Sequence, residues 1–336
     1  MRAFLLLIIV LNQFPVFSQQ IKLLHSGNKI SLRGLSVVND RVVWVSGSKG
    51  TVGRSLDSGR TWKWMIVKGF EKSDFRDIEA FDAVTAVLMA IDEPAHILKT
   101  VDGGNTWKVV YKNDTKGMFL DAMEFWNEQS GIVIGDPVAG RFFICRSFDG
   151  GSTWREISRE NLPVADSGEA CFAASGTNVR SLNLSEACFV TGGNRSRLLW
   201  KREPVLLPII QGKPSTGANS IAIRDSKKRK QSGYFVVVGG DYLQDTLTDK
   251  NCFITKDAGK TWMAPATPPH GYRSCVEFIG PQKLITCGPS GVDVSIDGGM
   301  NWISASATGF HVSRKAKSGK SVFLAGSDGR IGILNP

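Results

Sequence analysis

Short apolar runs, each bounded by turn residues, recur along the whole chain. Seven of them have the length and composition of buried strands, and they span 42–47, 86–91, 131–135, 187–192, 234–239, 283–288 and 321–326. No stretch of the chain shows the 3.6-residue period of an amphipathic helix. The pattern therefore predicts an all-β chain built from seven similar units.

One phrase of eight residues, Ser/Thr-x-Asp-x-Gly-x-Thr-Trp, punctuates these units. It stands at 55–62, 100–107, 147–154, 255–262 and 295–302, with Asn in place of Thr in the last copy. In this phrase, the Asp-box, the carboxylate can accept hydrogen bonds from its own turn, and the Gly supplies a positive φ. The phrase predicts a braced hairpin, so we assign structural roles to its aspartates: Asp57, Asp102, Asp149, Asp257 and Asp297.

The spacing of the copies predicts the architecture. Neighbouring copies lie roughly 40–50 residues apart, a period typical of a β-propeller. The fourth unit lacks a box, because 197–204 stands in its place, and the seventh unit ends after its third strand at 330–336. We expect a seven-bladed propeller whose last blade is completed by the N-terminal strand Ile21–His25, which would leave no open sheet edge.

The first 18 residues have the features of a signal peptide. Arg2 precedes a short apolar run, and the small residue Ser18 suits cleavage. That run is too short to span a bilayer, and no other run approaches the required ~20 apolar residues. We expect residues 19–336 to form one propeller domain without a membrane span, located in the periplasm or secreted.

The chain is basic, with a formal net charge of +10, and its densest basic run is 227–230. This run falls in a hairpin turn of the fifth unit, where a solvated tip and a nucleic-acid patch are the two interpretations. No aromatic residues interleave with the basic ones, and export also argues against nucleic acid. The charge favours an exported or membrane-associated protein partner, or an anionic glycan.

Six cysteines in an exported chain permit disulfides. Cys275 and Cys287 flank one turn symmetrically, and Cys171 and Cys188 are expected to flank another. Cys145 and Cys252 belong to third strands of blades that are not adjacent, which favours buried thiols. The sequence leaves the pairing open, and all six side chains could equally be thiols in the core.

Candidate chemistry gathers where each first strand begins, because these innermost residues should surround one mouth of the central channel. The entering segments contribute Arg33, Arg76, Arg273, Tyr272, Asp77, Asp121 and Glu169, and loops on the same face add Asp136, Asp241 and Tyr242. Arginine forks bind carboxylates and phosphates, whereas paired carboxylates suit acid–base chemistry on a glycoside. An ion-pair network between blades is the third interpretation, and it requires no ligand.

Neither a metal nor a cofactor is expected. No Cys/His spacing is typical of a zinc site, and no Ser/His/Asp arrangement can be identified. The Gly239-Gly240-Asp241 sequence lacks the Lys-Ser/Thr of a phosphate-binding loop.

The box repeat, the Phe75-Arg76-Asp77 start of the second unit and seven blades behind a signal peptide resemble the photosystem II stability/assembly factor family. These are Asp-box propellers, and the resemblance covers residues 20–336. It implies a non-enzymatic scaffold that holds partner proteins through an arginine-rich surface, with Arg33, Arg76 and Arg273 in that role. The chain departs from the family in its missing fourth box, and nothing in it indicates a photosynthetic host.

Sialidases are the alternative, from a different functional class. They are also Asp-box (BNR-repeat) propellers, and they grip a sugar carboxylate with three arginines beside an Asp acid/base and a Tyr–Glu pair. Arg33 opens the first blade as the first sialidase arginine does, but the Arg-Ile-Pro signature is missing and sialidases have six blades. Xyloglucan-type hydrolases pair two seven-bladed rings. A glycoside hydrolase with a site at the channel mouth therefore stays open, with Asp77, Asp121, Glu169, Asp241 and Tyr242 as catalytic candidates.

Overall fold

The structure is a computed structural model, and it describes residues 20–91, 93–200, 203–225 and 232–335. The predicted signal peptide at 1–18 and the basic run at 227–230 lie outside these ranges. Within them the only helices are two single 3-10 turns, Arg159–Asn161 and Ser327–Gly329. None of the described helices is long and apolar enough to cross a membrane.

The strands form seven antiparallel sheets in chain order. Strand β1 (Ile21–His25) precedes blade 1, which comprises β2 (Leu32–Val37), β3 (Val43–Gly47), β4 (Thr51–Ser55) and β5 (Lys63–Ile66). Blade 2 comprises β6 (Phe75–Ala80), β7 (Ala86–Ala90), β8 (Ala95–Thr100) and β9 (Lys108–Asn113). Blade 3 comprises β10 (Leu120–Phe125), β11 (Gly131–Val138), β12 (Arg141–Ser147) and β13 (Arg155–Glu156).

The second half of the ring is less regular. Strand β14 (Glu169–Ala170) precedes blade 4, which comprises β15 (Val179–Ser181), β16 (Ala187–Val190), β18 (Arg197–Leu199) and β19 (Val205–Leu206), with β17 (Gly192–Gly193) interposed. Blade 5 contains β20 (Thr216–Ile223), β21 (Phe235–Asp241) and β22 (Cys252–Thr255). Blade 6 comprises β23 (Cys275–Phe278), β24 (Leu284–Gly288), β25 (Gly291–Ser295) and β26 (Ile303–Ser306), and blade 7 comprises β27 (Val312–Lys315), β28 (Val322–Ala325) and β29 (Ile331–Leu334).

The predicted all-β, seven-bladed propeller is confirmed, and so is its closure. Strand β1 pairs antiparallel with β29, with Ile21 opposite Leu334 and Lys22 opposite Ile333. The chain's first described strand is thus the fourth strand of its last blade. This pairing covers the edge of β29, which would otherwise be an open template for association.

The core lies between the blades. All five residues of β7 are buried, because a neighbouring blade covers each face of the sheet. Such strands read as continuous apolar runs rather than as alternating ones, which is why the second strands were visible in the sequence. The largest side chain in this layer, Trp44, is fully buried and donates its indole N–H to the carbonyl of Asp82 at 3.0 Å.

Each Asp-box closes on itself at the end of the third strand. In the first box, Asp57 accepts the backbone N–H of Thr61 at 2.9 Å and its hydroxyl at 2.7 Å, while Ser55 Oγ accepts the N–H of Gly59. The same bonds recur at Asp102, Asp149 and Asp257, and at Asp297 with Asn301 replacing the Thr. The Thr61 hydroxyl and amide lower the pKa of Asp57 to about 2. These carboxylates are fully occupied by their own hairpins.

Blade 4 begins later than the sequence indicated. The prediction that Glu169 enters its first strand is wrong, because that strand is β15 and Glu169 lies in β14, which pairs with β17 at the edge of blade 5. Strand β17 approaches β20 so closely that a Cβ on Gly217 would stand 2.4 Å from the Cα of Gly192. Only glycines permit this contact, and the preceding apolar run therefore leaves its blade at Val190.

Residues 171–177, between β14 and β15, pass through the centre of the ring, and we call this segment the plug. All of it except Phe172 is buried. It contacts Arg33 of blade 1, Arg76 of blade 2, Asp136 of blade 3, and residues of blades 5, 6 and 7. The propeller therefore has a filled centre rather than an open bore.

The six cysteines are buried free thiols in the structure. Cys275 and Cys287 lie directly opposite each other on β23 and β24, as their spacing predicted. The expected pairing of Cys171 with Cys188 across one hairpin is wrong. Cys188 stands opposite Arg180 on β15, whereas Cys171 belongs to the plug.

Candidate binding site at the mouth of the channel

A shared irregularity shapes one end of the channel. The first strands of blades 1, 2, 3 and 5 each shift register at the same position, by one residue. The residues at the shift are Arg33, Arg76, Asp121 and Asn219. Because a bulge redirects the side chain it carries, each of these blades turns one polar residue toward the axis. We call this end of the channel the mouth.

The mouth holds a cavity of about 480 Å³. Its polar lining comes from first-strand entries: Arg33, Arg76, Asn219, Ser274 and His311. Its apolar and aromatic lining consists of Phe119, Phe172, Tyr242, Tyr272 and Pro289, and the backbone of the plug forms its floor together with Asp136 on one side. A concave site with few polar groups among apolar ones is typical of ligand binding.

The two arginines of the mouth differ in their partners. Arg33 donates to the carbonyl of Ala174 at 3.1 Å, and it has no carboxylate partner among the described residues. Burial lowers the pKa of Arg33, and the neighbouring Arg76 lowers it further. Arg76 is paired with Asp74 at 2.8 Å and donates to the carbonyl of Ala173 at 3.3 Å. The mouth therefore carries one cation whose charge the fold leaves uncompensated.

His311 adds to the lining as a neutral ring. Burial lowers its pKa to about 3, and the cations Arg33, Arg76 and Arg330 act in the same direction. Its Nε2 lies 3.0 Å from the hydroxyl of Ser327. At neutral pH it therefore supplies a hydrogen-bonding group without charge.

An aromatic wall stands beside the arginines. Tyr242 makes edge-to-face contacts with Phe172 and Tyr272, with ring centroids 6.0 Å and 6.3 Å apart. Tyr272 is buried and donates its hydroxyl to Asn219 at 2.8 Å, whereas Tyr242 is 44% exposed. This wall offers a rigid apolar surface with low entropic cost on binding.

The candidate acids are not free groups at this opening. Asp77 is buried and accepts the N–H groups of Ile78 at 2.9 Å and Met123 at 2.8 Å. Burial raises its pKa to about 7, although Arg314 opposes that shift. Asp121 is fully buried, and burial, followed by Asp136, raises its pKa well above the usual range. A glycosidase requires two carboxyl groups facing one open cleft, and these two are enclosed.

The remaining acidic candidates have structural partners. Glu169, with a buried carboxylate, pairs with Arg197 and accepts the hydroxyl of Thr191, so it lies away from the mouth cavity. Asp241 caps its own turn by accepting the N–H of Leu243 at 3.0 Å. Asp136 does line the mouth, where burial raises its pKa to about 6 while the N–H of Cys171 opposes the shift.

Arg273 resembles Arg33 in sequence but has a different environment. It is 1% exposed and binds Asp293 of β25 through Nε and Nη2, both at 2.6 Å. It also donates to the carbonyls of Tyr272 and His270. This guanidinium is consumed within blade 6 and does not line the mouth cavity.

The opposite end of the channel, which we call the box end, is built from charge pairs. Arg180 of blade 4 binds Glu277 of blade 6 at 2.9 Å and lies 3.7 Å from Glu124 of blade 3. Glu277 also lies 3.8 Å from Arg314 of blade 7. The cavity among these groups measures only about 90 Å³. A shallow groove of about 500 Å³ adjoins it, where Arg224 stacks on Tyr234 and donates to Gln282.

Three features of the mouth escaped the sequence analysis. His311 and Asn219 were seen as first-strand entries but given no role, and Phe172 was not noticed. The plug itself was missed, because its small residues form no periodic pattern. One signal was available: β13 ends at Glu156 and β15 begins at Val179, which is a long connection for a propeller. No group of His, Cys, Asp and Glu among the described residues could hold a metal ion.

Comparison with solved structures gives full-length matches to other propellers. The chain matches a structure of YCF48 bound to D1 peptide with a TM-score of 0.64 and 14% identity, covering 96% of each chain. It matches YCF48 from Cyanidioschyzon merolae with a TM-score of 0.65 and 16% identity, covering 94% of this chain and 99% of that one. It matches the WD40 β-propeller domain of Doa1 with a TM-score of 0.61 and 13% identity, covering 94% and 97%. No protein-family model and no curated protein matches the chain. These likenesses establish the propeller fold.

Proposed function

We propose that this chain is an exported, non-enzymatic propeller that binds a segment of another protein at the mouth of its channel. The observation that carries the proposal is Arg33, a cation without a carboxylate partner among the described residues, at the edge of a cavity of about 480 Å³. A buried arginine whose fork is only partly used is suited to a ligand carboxylate.

The aromatic wall specifies the rest of the ligand. Tyr242 and Phe172 flank the cavity on the side away from Pro289 and His311 and leave an apolar surface beside the two guanidinium groups. An acidic side chain next to an aromatic or aliphatic one would satisfy both features. A protein segment with Asp or Glu beside an apolar residue is therefore the expected ligand, and an anionic glycan is the competing one.

The similarity to YCF48 supports this proposal at the level of architecture. One of the matched YCF48 structures holds a peptide, so a propeller of this shape can bind a protein segment. The mature chain is expected in the periplasm or outside the cell, because residues 1–18 have the composition of a signal peptide. We expect the partner in the same compartment or at the membrane surface.

The glycoside hydrolase alternative has less support. Catalysis would need an acid and a second carboxylate accessible to the sugar. Asp77 and Asp121 are 2% and 0% exposed, and Glu169 is bound to Arg197. Asp136 is the single candidate carboxylate that lines the mouth cavity.

Selection from a displayed library of random peptides tests the proposal. We expect enriched peptides to combine an acidic residue with an aromatic or aliphatic neighbour. The Arg33→Ala and Arg76→Ala variants should each bind such a peptide roughly tenfold or more weakly, because hydrogen bonds to charged groups contribute about 1.5–3 kcal/mol. Arg155→Ala removes an exposed arginine from the rim of blade 3 and should leave the affinity unchanged.

Two outcomes would overturn the proposal. One is enrichment of peptides that bind the double variant Arg33→Ala/Arg76→Ala as tightly as the wild type. The other is an absence of peptide binding together with arginine-dependent binding to an acidic polysaccharide, which would identify a glycan ligand instead.

A further inference from the structure

The plug is held by hydrogen bonds rather than by apolar packing. Three guanidinium groups bind its carbonyls: Arg33 binds Ala174 at 3.1 Å, Arg76 binds Ala173 at 3.3 Å and Arg314 binds Gly176 at 3.0 Å. Its largest side chain, Phe172, faces the mouth. A segment without apolar anchors in the core can move without unfolding a blade.

Two hydroxyl groups complete the attachment on the far side of the ring. Ser175 donates to the carbonyl of Ser274 at 2.7 Å, and Thr177 donates to the hydroxyl of Ser220 at 2.6 Å. These bonds are short and well formed. They fix the position of the plug relative to blades 5 and 6.

Carboxyl groups face the plug from blades 2 and 3. Asp136 accepts the N–H of Cys171 at 2.8 Å. Gly176 is pressed against Asp77, since a Cβ built on it would stand 2.2 Å from a carboxyl oxygen. Asp77 has two backbone donors, and Arg314 lies near it, so its ionised form is supported within the fold.

Asp121 lacks such support. Neither of its carboxyl oxygens has a hydrogen-bond partner with proper geometry among the described residues, and the side chain is 0% exposed. Its neighbours are Asp136, Arg76 and the backbone amide of Ala173 in the plug. An unpaired buried carboxylate is far more costly than a buried carboxylic acid. The seated plug is therefore compatible with the protonated side chain and opposed by the ionised one.

We propose that the plug is a proton-dependent closure of the channel and that Asp121 is its latch. The plug stays seated while Asp121 carries its proton. When Asp121 ionises, water must reach the carboxylate, and the plug is the covering element that gives way. The floor of the mouth thus changes with pH.

The direction of the effect follows from linkage. Burial, followed by Asp136, raises the pKa of Asp121, so the seated state binds its proton more tightly than the open state does. Seating is then strongest below the ordinary pKa of an aspartate, near 4, and weakens as the pH rises above it. Asp136 acts in the same direction, because burial raises its pKa to about 6. The other titratable and charged groups facing the plug are Asp77, Glu169 with its partner Arg197, Arg33, Arg76, Arg314, Tyr272 and His311.

Cys171 provides the readout, because it is the one cysteine of the plug. Pulsed alkylation of the mature protein with N-ethylmaleimide, followed by mass spectrometry, gives the labelling rate of each cysteine. Cys145, Cys188 and Cys252 lie in the β-sheet core and serve as internal controls. Comparison with the Asp121→Asn variant at each pH removes the intrinsic effect of pH on thiol reactivity.

We expect equal labelling of Cys171 in the wild type and Asp121→Asn at pH 5, and at least tenfold faster labelling in the wild type at pH 9. Asp136→Asn should remove only part of this difference. Gly176→Ala should label rapidly at every pH, because its Cβ collides with Asp77 and its φ of +64° disfavours a side chain.

A wild-type rate that stays equal to that of folded Asp121→Asn from pH 5 to 9 would overturn the proposal. If Asp121→Asn does not fold, the wild type alone decides the question. The ratio of Cys171 to Cys188 labelling must then rise with pH, and a constant ratio contradicts the latch.

Discussion

The two ends of the channel use the same residue types for different purposes. At the box end, Arg180 meets acidic partners from two other blades, and the cavity among the charges measures about 90 Å³. At the mouth, Arg33 has only a carbonyl as its partner and faces a cavity of about 480 Å³. Charge pairs at one end tie blades together across the axis, whereas charge at the other end is left for a ligand. An arginine beside the channel is therefore informative only once its partner is known.

Arg273→Ala should cause the largest loss of stability. It would leave Asp293 buried without its charged partner, and removal of one member of a buried pair costs about 3–5 kcal/mol. Urea unfolding of the variant measures this loss directly. If the variant unfolds like the wild type, Arg273 belongs with the mouth arginines after all.

Glu277→Ala should destabilise the box end by about 3 kcal/mol, because Arg180 and Arg314 would lose their shared carboxylate. Glu128→Ala, an exposed acid in a turn of blade 3, is the matched control and should change stability by less than about 0.5 kcal/mol. Equal effects of the two substitutions would show that the box-end network does not hold the blades.

Asp77→Asn should change the dependence of stability on pH. The pKa of Asp77 is raised to about 7 by burial, so its contribution is greatest below an ordinary aspartate pKa and is lost as the pH rises through about 7. The wild type should therefore lose more than about 1 kcal/mol relative to Asp77→Asn between pH 4 and pH 8. Urea unfolding at several pH values measures both curves, and parallel curves would contradict the assignment.

Arg33→Ala should have the smallest effect on stability, below about 1.5 kcal/mol, since one hydrogen bond to a carbonyl is lost. Its effect on ligand affinity should nevertheless be the largest of the four substitutions. Thermal unfolding and peptide titration of the same preparation check both statements. A loss of stability as large as that of Arg273→Ala would mean that the mouth is another structural network.

The sequence predicted the ring because its repeated unit is local. The box from Ser55 to Trp62 makes its own hydrogen bonds, so its presence is sufficient to infer the hairpin. The start of blade 4 was mispredicted because the contact of Gly192 with Gly217 joins two blades and leaves no local pattern.

The site was harder to predict for the same reason. Arg33 and Arg273 both precede a first strand, and what separates them is Asp293, which lies on a third strand and reaches Arg273 only in the folded blade. The plug was invisible because small residues without periodicity do not indicate whether they lie inside or outside a ring. Interactions between blades, unlike those within a hairpin, require the structure.

Hydrogen–deuterium exchange with and without a selected acidic–aromatic peptide tests the central claim most directly. The account predicts that bound peptide slows exchange at Phe172 and Tyr242 and at neighbouring amides of the mouth, while the box end stays unchanged. Protection confined to the box end, around Arg224 and Lys315, would place the ligand at the opposite side of the ring and contradict the account.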